Sequence, residues 1–106
     1  MSSNRVSHYR LTPCAEDDLE EIWRYTAETW SIVQADQYLD ELAATFENIV
    51  AMPMIARERQ EIVPPVRTFI HGAHVIVYRI EEDYIAIIRI LGARQNWLTI
   101  LSIIDS

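Results

Sequence analysis

Apolar and polar positions change their period along the chain, and each period predicts a different element. Ala15, Leu19, Ile22, Trp23, Thr26 and Trp30 recur at three- and four-residue intervals, which stacks them on one side of an α-helix. Thr12 stands where a helix cap belongs. Pro13 suits the first helical position, where a missing N–H costs nothing. Glu16, Asp17 and Asp18 follow near the positive end of the helix dipole. The side opposite the apolar stripe is acidic and reads as a solvated face. A second helix is predicted to start at Ser31, because Ser31-Ile32-Val33-Gln34 has the pattern of a capping box. Ala35, Leu39, Leu42, Phe46, Ile49 and Val50 then form an apolar stripe, and Pro53 marks its end. The short link between the two helices predicts an antiparallel hairpin.

The second half is rich in β-formers. Residues 54–67 read as a connector, in which Pro64-Pro65 blocks regular structure. Val66 to Ile70 is a predicted strand and His71-Gly72-Ala73 a turn. His74 to Ile80 is the next strand, Glu81-Glu82-Asp83 a second turn, and Tyr84 to Leu91 a further strand. The two close connections predict an antiparallel meander, and its unbroken apolar runs predict a sheet buried on both faces. Near the start, His8-Tyr9-Arg10-Leu11 reads as a short strand, preceded by a polar tail from Met1 to Ser7. The stretch from Gln95 to Ser106 fits a strand or a short helix. The order is β-α-α-β-β-β with a tail. The expected fold class is α+β, in two layers, with an antiparallel helix hairpin packed on a small, largely antiparallel sheet.

Composition narrows the function classes. A chain of 106 residues fits one domain, here 1–106, and can bury roughly 60–70% of its unfolded surface. Cys14 is the only cysteine, so no internal disulfide can form. The N-terminus lacks a basic start followed by an apolar run, and no stretch approaches the roughly 20 apolar residues of a membrane span. The expectation is a cytoplasmic protein with no membrane contact. Residues 1–53 hold 3 Arg against 10 acids, a net of −7, whereas residues 54–106 hold 6 Arg against 6 acids, a net of 0. All nine basic residues are Arg, with no Lys. The net charge of −7 argues against direct DNA binding, which draws its affinity from neutralising phosphates.

No grouping carries an obvious reaction. The only glycines are Gly72 and Gly92, so a Gly-rich phosphate loop is absent. His71 and His74 flank a predicted turn and read as turn and strand-end residues, not metal ligands. Cys14 reads as an ordinary small residue beside a helix start. No catalytic set, metal site or cofactor is expected, and the chain is expected not to be an enzyme. Arg79 and Arg89 are different, because each interrupts an apolar strand and must reach solvent or a partner. A three-residue turn would put both on one face, and a two-residue turn on opposite faces. Either they pair with carboxylates and hold the sheet to the acidic helices, or they form a basic surface for a partner. Arg94 and Trp97 lie just beyond the last strand, and both residue types are enriched in interaction hot spots.

These residues carry a resemblance. Tyr9-Arg10-Leu11-Thr12-Pro13, followed by Ala15, Asp18-Leu19, Ile22-Trp23 and Tyr25, resembles the opening of the ParE branch of the RelE/ParE toxin superfamily. Ala35, Tyr38 and Leu42 are similar to its second helix. His74 to Ile80, then Ile85 to Ile90, Leu91 and Arg94, resemble its strand pair and C-terminal signature. The order and spacing over residues 8–97 carry the resemblance more than any one motif. It implies the toxin of a bacterial type II toxin–antitoxin pair, neutralised by a bound ParD-like antitoxin and acting by inhibition of DNA gyrase, with no reaction of its own. Arg79, Arg89, Arg94 and Trp97 are the expected target-binding residues. The apolar surface around the helix hairpin, with Trp23, Trp30 and Tyr38, is the expected antitoxin contact. RelE-like relatives instead cleave mRNA on the ribosome. Val75 stands where an Arg typical of those nucleases would align, and the lysines they use are absent, which leaves cleavage as the alternative reading. A second alternative is a decayed toxin that only holds antitoxin. Gly92 takes the place of a His that many ParE-like chains carry in a His-x-Arg arrangement.

Overall fold

The computed structural model describes residues 6–105, with side chains described through Leu101. Strand β1 (His8–Leu11) leads into helix α1 (Pro13–Thr29) and helix α2 (Ile32–Ala51). A 3₁₀ turn, Pro53–Ile55, and a two-residue strand β2 (Glu58–Arg59) precede β3 (Val66–His71), β4 (His74–Ile80) and β5 (Tyr84–Gly92); helix α3 (Trp97–Asp105) follows. The five strands lie in the order β1-β5-β4-β3-β2. All neighbours are antiparallel except β1 and β5, which run parallel. The chain therefore leaves β1, forms the helix hairpin over one face, and returns to build the meander beside β1.

Both predicted caps are present. The Thr12 hydroxyl accepts from the Ala15 N–H at 3.1 Å, and the Ser31 hydroxyl from the Gln34 N–H at 3.0 Å. Ala15 and Ile22 of α1 and Ala35, Leu42, Phe46 and Ile49 of α2 are buried. Except for Ala35, they join Ile76 and Tyr78 of β4 and Ile85, Ile87 and Ile90 of β5 in the principal core. Burying a large side chain such as Leu42, Phe46 or Ile49 contributes about 1.5–3 kcal/mol before entropy is counted. A second cluster covers the other face, where Ile62, Val66, Val75, Val77 and Leu91 meet Leu101 of α3. The sheet is thus buried on both faces, as its unbroken apolar runs predict.

Several expectations are corrected. Of the two states left open for the stretch after Gln95, the helix is the one formed, because Trp97, Ile100 and Leu101 find apolar partners on the sheet's second face. The connector contains β2, which pairs with Val66 and Arg67. Val6 and Ser7, which the sequence places in the polar tail, are tied to the fold. Val6 is buried in the core and the Ser7 N–H donates to the Asp83 carbonyl at 3.0 Å, while residues 1–5 lie outside the described residues. His71 belongs to β3 and faces His74, so the hairpin loop is the two residues Gly72-Ala73. Gly72 has φ +57°, as the first position of such a loop demands. A Cβ there would also stand 3.1 Å from the Tyr38 hydroxyl. Among the described residues, no helix is long and apolar enough to cross a membrane.

Candidate functional site

The β4–β5 pairing decides where the strand arginines point. Ile80 faces Ile85, Arg79 faces Ala86 and Tyr78 faces Ile87; then the register slips, and Val77 faces Arg89. The turn is the two-residue alternative, Glu82-Asp83, closed by a 2.9 Å bond from the Glu81 N–H to the Tyr84 carbonyl. The slip is a β-bulge with Ile88 as the extra residue, and a bulge re-aims side chains. Arg79 alternates with Tyr78 and Ile80, which pack into the core under the helices, so Arg79 projects from the opposite face. Arg89, beyond the bulge, turns towards α1.

The bulge is held by α1. Arg89 grips Asp18 in a bidentate fork, Nε to Oδ2 at 2.8 Å and Nη2 to Oδ1 at 2.9 Å. The same Oδ2 accepts from the Ile90 N–H at 2.9 Å, beyond Ile87, the last residue of β5 paired with β1. Their side chains are only 13% and 19% exposed, for Asp18 and Arg89 respectively. The Asp18 hydrogen bonds, opposed by desolvation, raise the Arg89 pKa above its ordinary value. Thr12 completes the joint: its N–H donates to the Ile87 carbonyl at 3.0 Å and its hydroxyl to the Ile88 carbonyl at 2.7 Å. Asp18 is therefore not part of a solvated acidic face. A sign of this was in the sequence: Asp18 lies between Ala15 and Ile22 at three- and four-residue spacing, on the buried stripe.

The other singled-out residues fall into separate places. Arg79 donates from Nε to Glu81 at 3.1 Å. Arg94 is exposed, beyond a tight turn in which the Gln95 side chain accepts from the Gly92 N–H at 2.8 Å. Trp97 packs beside the second-face cluster with the Arg59 guanidinium 5.2 Å from its ring. By the pairing, Arg89 lies level with Val77, on the side of the sheet that Arg79 shares, and the two differ in partner: Asp18 of α1 for Arg89 and Glu81 for Arg79.

On the helix layer, Trp23 ties the hairpin together through Nε1 to Asp36 at 2.9 Å. Trp30, at the C-cap of α1, is 71% exposed. Ile32 and Val33, next to it in the chain, are exposed as well, as is Tyr25. Tyr38 faces inward to the β3–β4 hairpin, its hydroxyl 2.7 Å from His74 Nδ1 and 3.3 Å from the His71 carbonyl. Burial raises the Tyr38 pKa and lowers that of His74, and the charge of His71 lowers His74 further. His71 reaches Glu41 at 3.5 Å. An open groove of about 740 Å³ runs between α1 and the end of β5, lined by Asp17, Asp18, Glu21, Tyr25, His74 and Arg89 among others. Among the described residues, no group of three or more His, Cys, Asp or Glu side chains could hold a metal ion.

This architecture and its motifs agree with known proteins. The family model described as the ParE toxin of the type II toxin–antitoxin system parDE matches residues 9–97. A relative named toxin ParE1 from Mycobacterium tuberculosis is 40% identical over 91 residues, covering 85% of this chain and 93% of its own length. A toxin ParE1 from Caulobacter vibrioides is 35% identical over 88 residues, covering 83% and 91%. The fold is shared with a chain of a solved chromosomal ParDE toxin–antitoxin system from P. aeruginosa, at TM-score 0.71 and 21% identity, covering 85% of this chain and 98% of that one. A capped helix hairpin laid on a β-meander, its bulge locked by Asp18 and Arg89, therefore belongs to a member of the ParE toxin family of type II toxin–antitoxin systems.

Proposed function

We propose that this ParE toxin acts by binding and inhibiting DNA gyrase, and that a cognate ParD-like antitoxin neutralises it by direct contact. The family match over residues 9–97 carries the reading. The state of the strand arginines supports a binding protein over a nuclease. Arg89 is committed to Asp18 in a bidentate fork, so it does not stand free to stabilise a cleaving phosphodiester. Arg79, Arg94 and Trp97 are the residues we assign to target contact, and Arg89 supports them by holding the bulge. The antitoxin is assigned to the hairpin tip around Trp30, where exposed apolar side chains meet acidic helices, with Trp23 tying the two helices together through Asp36 and Tyr38 further along α2 against the β3–β4 hairpin. Such a surface suits an amphipathic segment with basic residues. The cytoplasm is the compartment where both partners would be met.

Purified toxin should inhibit gyrase supercoiling, and its expression without antitoxin should halt growth while translated mRNA stays intact. Unchanged supercoiling at saturating toxin would remove gyrase as the target. Rapid loss of translated mRNA would point to cleavage on the ribosome instead. Unimpaired growth would mark a chain that only holds antitoxin.

A further inference from the structure

The face of the sheet turned away from the helix hairpin carries groups that neither the bulge nor the groove uses. Arg10 of β1 lies level with Ala86 of β5, and Arg79 of β4 lies level with the same Ala86 from the other side. Neighbouring strands are about 4.8 Å apart, so the two arginines stand in one row, their backbones roughly 10 Å apart. Both point away from the helices, because Tyr9 and Leu11, and Tyr78 and Ile80, which flank them, pack into the core on the other side.

The two cations are held ready by different means. The Arg10 guanidinium sits 4.6 Å from the centre of the Tyr84 ring, and His8 stacks against the same ring at 5.7 Å. Among the described residues, Arg10 has no carboxylate partner, although this chain carries 16 acids. Arg79 gives Glu81 only its Nε, is 39% exposed, and keeps both Nη groups without a hydrogen bond among the described residues. A guanidinium with its terminal nitrogens open is shaped to take a carboxylate in a bidentate fork. The rest of the molecule sharpens the contrast, because the ten acids of residues 1–53 all lie in α1 and α2, on the opposite layer.

We propose that Arg10, Tyr84 and Arg79 form a docking site for an acidic segment of a partner protein. The proposal deepens the target-binding reading given above, on which it rests, since it adds Arg10 and Tyr84 to Arg79 and states what the target must present there. An acidic polypeptide is favoured over nucleic acid because a chain of net charge −7 repels a continuous row of phosphates, whereas a few carboxylates meet the cationic row before they sense the helices.

Fluorescence anisotropy with a labelled oligoglutamate peptide at low salt tests this on the purified full chain. The unaltered protein should bind. Arg10→Ala and Arg79→Ala should each weaken binding by about 3- to 10-fold, as expected for desolvating one charged contact. Arg24→Ala, an exposed arginine on α1, should leave it unchanged, and circular dichroism should show all variants folded. Equal binding by the double variant overturns the proposal, as does no binding by the unaltered protein. So does an oligothymidylate of matched charge that outcompetes the peptide, which would assign the row to nucleic acid. Self-association lost in the same variants would assign it to the acidic helices of a second copy and overturn it too. A gyrase supercoiling assay on the same proteins separates the two readings. Peptide binding through Arg10 and Arg79 without gyrase inhibition keeps the docking site and removes gyrase. Gyrase inhibition without peptide binding removes the docking site alone.

Discussion

Asp18 and Arg89 show how one pair can look different from its two ends. From the strand, an arginine among isoleucines must find a partner, and a carboxylate on the acidic helices is one of the two readings its sequence allows. From the helix, Asp18 resembles its neighbour Asp17 in everything except its place on the apolar stripe. The structure puts both oxygens to use, on Arg89 and on the Ile90 N–H. Asp18→Ala would strand a half-buried guanidinium and a backbone donor together. It should lower the free energy of unfolding by about 2–4 kcal/mol, read by urea denaturation; a loss below about 0.5 kcal/mol would show that water replaces the carboxylate at little cost. His74 offers a second prediction. Burial and the charge of His71 hold its pKa below 6.5, with Asp18 opposing, while Tyr38 and His71 are its close neighbours and Glu41 sits beyond His71. The unfolded chain therefore binds the proton more readily than the folded one. Stability contributed by neutral His74 is complete above the unfolded pKa and is lost as pH falls through 6.5 towards the folded value. With the proton on Nε2, Nδ1 accepts from the Tyr38 hydroxyl, and protonation removes that acceptor. The melting temperature should fall between about pH 8 and about pH 5.5, and His74→Gln should flatten that slope. An identical slope in the variant would assign it to other groups.

Among the elements, the two helices and the β-meander were largely legible, because their signals are local. A cap bonds to an N–H three residues away, and an apolar stripe needs only its own period. The strand His74–Ile80 has the bounds its sequence predicts. What local signals could not carry was the bulge in β5, because a bulge is a mismatch between two strands and neither strand alone records it. The same holds for α3, whose apolar run fits a strand or a helix until the second face of the sheet is there to receive Trp97 and Leu101. Thr12 joins these levels. Its hydroxyl caps α1 and also donates to the Ile88 carbonyl at the bulge. Thr12→Ala should cost about 1–2 kcal/mol in thermal or urea unfolding, more than an isolated cap because a strand carbonyl is orphaned as well. Ser31→Ala, which removes a cap and nothing else, should cost about 0.5–1 kcal/mol. Equal losses would show that the bulge does not lean on Thr12.

Over the molecule as a whole, charge is sorted by layer. Helices α1 and α2 hold ten of the 16 acids, and the sheet carries Arg10, Arg79 and the paired Arg89, with Glu81, Glu82 and Asp83 in the turn beyond Arg79. Antitoxin and target are therefore assigned to surfaces of different chemistry, an acidic and apolar hairpin tip and a cationic sheet face. Trp30→Ala should weaken antitoxin binding by about tenfold or more in calorimetry while leaving unfolding nearly unchanged, since the ring is 71% exposed and supports little of the core. Full antitoxin affinity in this variant would move the contact elsewhere. The association rate should also fall as salt rises past the range where the Debye length is about 10 Å, as for steering by opposite charge.

The sequence was enough for the capped helices, the hairpin between them, the meander, the burial of the sheet on both faces and the resemblance that the family match bears out. Each rests on bonds between near neighbours or on a period that repeats within one element. Tertiary structure decided the parallel docking of β1 on β5, the helical state of the chain after Gln95, and the directions of the strand arginines. Those depend on how separate segments meet, from Val77 and Arg89 across the β4–β5 pairing to Asp18 and Arg89, 71 residues apart. A one-residue slip turns every following side chain to the other face. The slip at Ile88 sets Arg89 level with Val77, where it meets Asp18, while Arg79 lies before the slip, level with Ala86 and beside Arg10.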